Sequence, residues 1–320
     1  MICTKKEHIS QINDYIPENS AFICFASFEL RCCTIAQRID NRKLKRAFVF
    51  RNTDPPMDRY NASNFNAICA AIKQIAIAEV SLNMPVDVAD KIFSAVREII
   101  DFSIPNIVVD ISTFTHEALL ILLKALHIHR DSFDSIYLIY NGASEYSKWL
   151  SKGCKDIRNV IGYPGYFNPS YKDHMIILTG FEKERATQLV ELFEPDVLSI
   201  GNGSEPTDKK HLDTMSEMKD EFTTWFNNLG TAWEPFDFSC SDITSTMEKI
   251  TAEINKRNNE NIALVPLNTK LSTISAALIA LQNERIQIVY PVPEIYNTEY
   301  SKPSDNFTIV NLKNVAEFCK

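Results

Sequence analysis

Residues 106–126, NIVVDISTFTHEALLILLKAL, lie without a gap over residues 261–281, NIALVPLNTKLSTISAALIAL. An apolar strand-like run, a short polar turn and a long apolar helix therefore occur twice in the same order. The likeness extends upstream. ICFASFELRCC (Ile23–Cys33) and IILTGFEKERA (Ile176–Ala186) each pass from an apolar run through Phe-Glu into a helix with an arginine nearby. Phe28-Glu29 falls on Phe181-Glu182, Asn52 on Asn202 and Tyr140 on Tyr290, while Glu-Tyr-Ser stands at 145–147 and again at 299–301. All these matches have offsets between 150 and 155 residues. Such near-constant spacing predicts an internal duplication, with lobes at 1–165 and 166–320. GYPGYFNPSYKD (Gly162–Asp173), with two prolines and two glycines, is the expected linker.

Within each lobe the pattern alternates strand and helix. The first half reads as strands at 22–26, 47–51, 78–82, 106–110 and 135–140, with helices at 29–40, 64–76, 86–102 and 115–127. The second reads as strands at 175–178, 197–200, 232–236, 262–265 and 286–290, with helices at 183–193, 211–227, 242–258 and 272–282. The strands are short, apolar and without period-2 alternation, as parallel strands covered on both faces must be. Helices between parallel strands make right-handed crossovers. The expected fold is α/β: two tandem Rossmann-like, doubly wound parallel sheets.

Composition excludes several functions. With 33 basic against 41 acidic residues the formal net charge is −8, which disfavours a dedicated nucleic-acid backbone binder. No apolar run approaches the roughly 18 residues of a membrane span, and MICTKKEHISQ has no apolar stretch after its lysines. The expected location is cytoplasmic, with the eight scattered cysteines as reduced thiols. No CxxC, GxSxG or HExxH occurs, and no metal or cofactor is expected. Glycine numbers only 8 in 320 residues, well under half of the roughly 7% of average usage. Neither glycine-rich phosphate loop is present, so side chains and helix N-termini would have to hold any phosphate.

In an open parallel sheet ligands bind beyond the carboxyl ends of the strands, where the strand order reverses. That edge collects Ser27, Glu29, Arg31, Asn52, Asp110 and Ser112 in the first half. In the second it collects Glu182, Arg185, Asn202, Asn268, Thr269 and Lys270. Ser27 fits a helix cap as well as a ligand, and Asp110 with Ser112 fits a turn before a helix. Glu29 and Glu182 fit either a first helical turn favoured by the dipole or acid/base residues. Lys270 opposes the dipole of the helix it begins, and an anion bound there would explain its position. At the offset of 155 residues Lys270 stands opposite Thr115. Cys32-Cys33 at a helix start and the His127-x-His129 pair read as structural.

At DISTFTH (Asp110–His116) and LNTKLSTISAAL (Leu267–Leu278) the chain resembles the CRISPR-associated Rossmann-fold sensor domains of bacterial antiviral systems. Their loop after a central strand reads Asp/Asn-x-Ser/Thr-x-x-x-Arg/Lys or Thr-Gly-Gly-Thr-Lys. Here His116 stands in place of the basic residue, and the paired glycines are missing. The resemblance implies a cyclic-oligonucleotide sensor, a binding role for Ser112, Thr269 and Lys270, and two-lobed symmetry within one chain. Two lobes fill the chain, so a sensor would act through a protein partner. The alternatives are a nucleotide- or nucleoside-processing enzyme using Glu29 or Glu182, and a scaffold subunit with a degenerate pocket.

Overall fold

The computed structural model describes residues 4–147, 149–206, 211–228 and 232–312. Cys3 and Cys319 lie outside them. The chain divides into two compact units, Met1–Ser147 with Thr298–Lys320, and Lys148–Asn297.

The first unit begins with β1 (Thr4–His8) and continues β2 (Ser20–Ala26), α1 (Arg31–Ala36), β3 (Leu44–Asn52), α2 (Met57–Ala71), β4 (Ile75–Val80), α3 (Pro85–Asp101), β5 (Asn106–Asp110), α4 (His116–Ile128), β6 (Ser135–Tyr140) and β7 (Ala143–Tyr146). Every residue of β2, SAFICFA, is buried, because it sits in the middle of the sheet between β5 and β3. Strands β2 to β6 are mutually parallel. Two helix types cover them, and the sequence distinguishes the two. In α3 the buried Val88, Ala89, Ile92, Ala95, Val96 and Ile99 form one stripe at three- and four-residue spacing. By contrast α4, HEALLILLKALHI, is apolar nearly all round and is buried from Glu117 to Leu123.

The second unit contains β8 (Ser151–Lys152), β9 (Asp156–Pro164), β10 (Lys172–Leu178), α5 (Lys183–Phe193), β11 (Val197–Ser204), α6 (Leu212–Asn228), β12 (Trp233–Ser239), α7 (Ile243–Asn255), β13 (Glu260–Pro266), α8 (Lys270–Gln282), β14 (Ile286–Val292) and β15 (Ile295–Tyr296). Its sheet runs β12-β11-β10-β13-β14-β9. Strands β10 to β14 are parallel and β9 is antiparallel to β14. α8, like α4, is buried along its length, from Leu271 to Ala280.

The chain then returns to the first unit with β16 (Ser301–Pro303) and β17 (Asn306–Asn311). The first sheet is thus β1-β17-β6-β5-β2-β3-β4, with β17 antiparallel to both neighbours. In both sheets the parallel strands, taken in chain order, lie 3-2-1-4-5. The units divide differently from the 1–165 and 166–320 expected from the sequence, because the segment after each fifth parallel strand leaves its own half. Residues 151–164 join the second unit, and 301–311 complete the first. Each supplies an antiparallel strand along the outer edge of a fifth strand, whose unpaired N–H and C=O groups would otherwise be open. No helix among the described residues is long and apolar enough to cross a membrane.

Candidate functional site

Within each sheet the order reverses between the first and fourth parallel strands, β2 and β5 in the first unit, β10 and β13 in the second. The predicted residues of each half gather at this edge, where three arrangements occur.

In the first unit the site is closed. Glu29 is 7% and Arg31 4% exposed. Arg31 donates through Nε to Glu29 Oε2 at 2.8 Å and through its second guanidinium arm to the same oxygen. It also donates to the Asn141 carbonyl at 3.1 Å. Tyr300 Oη donates to Glu29 Oε1 and Ser301 Oγ to Oε2, each at 2.7 Å. The Tyr300 ring meets Phe28 edge-on, 6.1 Å between centroids. Burial works against the guanidinium charge, but Glu29 together with Tyr300, Tyr140 and Tyr146 outweighs it and holds Arg31 protonated. The carboxylate is neither a helix cap nor a free acid/base group; it anchors the returning end of the chain.

The second unit repeats this with different atoms. Glu182 is the N-cap residue of α5 without a side-chain cap bond. Its carboxylate pairs with Arg185, which is 2% exposed, and accepts from Ser151 Oγ at 2.5 Å. Arg185 Nε donates to the Pro291 carbonyl at 2.9 Å, and the guanidinium lies 5.3 Å from the Tyr290 ring centroid. Tyr140 bonds Tyr146 in the first unit, as Tyr290 bonds Tyr296 in the second. Asn141 and Pro291, Ser151 and Ser301, and the two tyrosine pairs are each 150 residues apart. The Glu-Tyr-Ser match at 145–147 and 299–301 is therefore not the spatial one. Tyr146 and Tyr300 belong to the same unit, and the equivalent of Tyr146 is Tyr296.

Asp110 and Ser112 form the turn expected before α4. Asp110 Oδ1 accepts from the Ser112 N–H at 3.0 Å and from Ser112 Oγ at 2.5 Å, while Ser112 Oγ accepts from the Asn141 N–H at 2.9 Å. Asp110 Oδ2 and Asn141 Oδ1 are buried without a hydrogen-bond partner. Burial pushes the Asp110 carboxyl up to about 7, against the opposing pull of Ser112 and Arg31. Ser27 does not cap α1, whose N-cap residue is Leu30. Its hydroxyl accepts from the Glu29 N–H at 3.4 Å. Asn52 closes a local turn by accepting from the Asp54 N–H at 3.0 Å. Cys32 and Cys33 are core thiols, 3.8 Å apart.

At the corresponding edge of the second unit the loops after β10, β11 and β13 meet. Gly180 packs so tightly that a Cβ there would lie 2.2 Å from the Leu267 carbonyl oxygen, so only glycine fits. Asn268 Nδ2 donates to the Thr179 carbonyl at 2.6 Å, and its Oδ1 accepts from the Thr269 N–H at 2.8 Å. Thr269 Oγ1 donates to the Cys240 carbonyl at 2.9 Å. A Cβ on Gly203, next to the buried Asn202, would meet Asn268 Nδ2 at 2.9 Å. Asn268, Thr269 and Lys270 thus stand in the loop that meets Thr179 and Gly203, and Lys270 opens α8 half-buried.

Helix caps correct the pairing of the two halves here. Thr115 caps α4 by accepting from the Ala118 N–H at 3.1 Å, and Thr269 caps α8 by accepting from the Ser272 N–H at 3.2 Å. Thr115 is therefore the equivalent of Thr269, and His116, not Thr115, is the equivalent of Lys270. The ungapped match hides this because the two turns differ in length by one residue.

A further polar network escaped the sequence reading. His174 Nε2 lies 2.9 Å from Ser199 Oγ and His174 Nδ1 2.7 Å from Glu260 Oε2. Ser199 also donates to Glu253 at 3.2 Å. The spacing is that of a serine–histidine–acid relay. However, Ser199 is wholly buried inside β11, away from the edge where a substrate could reach it. Its one sequence signal is polar residues within apolar strands, in KDHMIIL and VLSIG. Among the described residues no three or more His, Cys, Asp or Glu side chains are grouped to hold a metal.

No protein-family model matches the chain, and no curated protein gives a significant match.

Proposed function

We propose that the chain is a nucleotide-binding or nucleotide-sensing subunit whose ligand site lies on the second unit. Three sequence-predicted polar residues, Asn268, Thr269 and Lys270, follow β13 and meet the end of β10 at the point where the strand order reverses. That co-location carries the reading. A helix N-terminus and a lysine there both attract an anion, and lysine acts on phosphate as a compact point charge. The resemblance of both strand-to-helix loops to cyclic-oligonucleotide sensors points the same way, with a role in antiviral defence through a protein partner.

Binding is favoured over catalysis because both candidate acids are committed elsewhere. Glu29 and Glu182 are each held by an arginine and by hydroxyls from the exchanged segments. We read the two units as Rossmann-like lobes produced by duplication, their tails exchanged, with the first ligand edge closed by Tyr300 and Ser301. The scaffold reading gains from that closure, since the first unit also places His116 where the second has Lys270.

Calorimetric titration with linear and cyclic nucleotides tests the proposal. Lys270→Ala removes a charge-assisted hydrogen bond of about 1.5–3 kcal/mol, which predicts a ten- to hundred-fold loss of affinity. Failure of every nucleotide to bind the parent protein would leave the scaffold reading.

A further inference from the structure

A pocket of about 590 Å³ opens at the opposite edge of the first unit, where the turns leading into the strands meet. Its volume is within the range of small-molecule sites. Six lining residues carry chemistry: Asn19, Lys45, Arg46, Gln74, Phe102 and Ser103. Phe102 is 59% exposed, which leaves ring area against which a planar group could stack. The Arg46 guanidinium lies 5.7 Å from that ring and is neutralised by Glu98 at 2.7 Å. Lys45 is exposed and has no ion-pair partner among the described residues. The net positive charge at the pocket is therefore lysine's.

The rim has a second feature. Asn19, Gln74 and Ser103 all have left-handed backbones, with φ of 56°, 57° and 52°. Glycine adopts that conformation at the least cost. Ser103 follows the end of α3, where glycine is the usual residue. At three separate turns the chain carries a polar side chain where glycine would fit more easily, and all three surround the same pocket.

We propose that this pocket binds a nucleoside monophosphate: the base against the exposed ring of Phe102, its edges toward the amides of Asn19 and Gln74, and the phosphate at Lys45. The site is separate from the one at Lys270 and does not depend on it.

The test uses full-length protein carrying Lys270→Ala, which weakens the other edge, titrated with AMP, GMP, CMP and UMP, with adenosine and inorganic phosphate as controls. At least one nucleotide should bind saturably and more tightly than either control. Lys45→Ala and Phe102→Ala should each weaken it at least ten-fold. Gln74→Gly separates binding from folding: it should raise the melting temperature by relieving the backbone while weakening the nucleotide. No saturable binding by any of the four would overturn the proposal. So would binding that ignores Lys45→Ala and Phe102→Ala, or a Gln74→Gly protein that is more stable and binds equally well.

Discussion

Glu29 and Arg31 face each other where almost no water reaches, so each charge depends on the other. Glu29→Gln would leave a buried guanidinium uncompensated, at a cost of about 3–5 kcal/mol. Glu29→Gln with Arg31→Met should recover much of that loss, because removing both charges removes the desolvation problem. Urea unfolding of the three proteins measures it, and a single-mutant loss below about 1 kcal/mol would show that the pair is solvated. Asp110 presents the opposite case, a carboxyl with one oxygen unpartnered. Its folded pKa of about 7 lies above its value in an unfolded chain, so between about pH 4 and pH 7 the folded state holds more protons. Its contribution is complete below about pH 4 and is lost as pH rises to 7. Asp110→Asn, whose side-chain carbonyl can still accept from Ser112, should flatten this slope. Relative to the parent it should gain on the order of 2–4 kcal/mol between pH 4 and pH 8. An unchanged slope in urea titrations would show that Asp110 ionises normally.

Among the elements, the strands that cross between the sequence halves, β9 and β17, are the most specific feature. Val310 of β17 is registered against Leu138 of β6, within the separation a disulfide spans. Oxidised Leu138→Cys/Val310→Cys protein, cut by an inserted protease site in 165–171, should run uncut in size on a non-reducing denaturing gel and separate after reduction. Separation of the two fragments without reduction would mean that the first half keeps its own tail. Helix caps give a smaller prediction. Thr115→Ala should cost about 1 kcal/mol of stability by losing the bond to Ala118, with nucleotide affinity unchanged.

The alternating strands and helices were legible because short apolar runs alternate with longer ones between polar turns; α5 and β5 fall where the spacing places them. The exchange was not. DIRNVIGYP is an edge strand and NFTIVN lies one strand in from an edge; both are half polar, and nothing local distinguishes pairing with one's own half from pairing with the other. One available signal was the offset of 150 shared by Tyr140/Tyr290, Tyr146/Tyr296 and Ser151/Ser301, against 153–155 at Phe28/Phe181 and Asn106/Asn261. The repeated Glu-Tyr-Ser obscured it by matching at 154. Glu29, Arg31, Glu182 and Arg185 were placed correctly at the strand ends. Their partners Ser151, Tyr300 and Ser301 were not foreseen as such, since those contacts span up to 272 residues.

At the scale of the whole molecule the two units share strand order and a Glu–Arg pair tied to a crossing segment. They differ in the residue that begins the helix after the fourth parallel strand. In the first, His116 begins α4; in the second, Lys270 begins α8 after Asn268 and Thr269. The account therefore predicts asymmetric binding. Its most direct test is calorimetric titration of the parent, Lys270→Ala and His116→Ala proteins with a panel of linear and cyclic nucleotides. The tightest ligand of the parent should lose ten- to hundred-fold in affinity with Lys270→Ala and less than three-fold with His116→Ala, in keeping with one charge-assisted bond. Equal losses from both substitutions, or an affinity indifferent to Lys270, would contradict it.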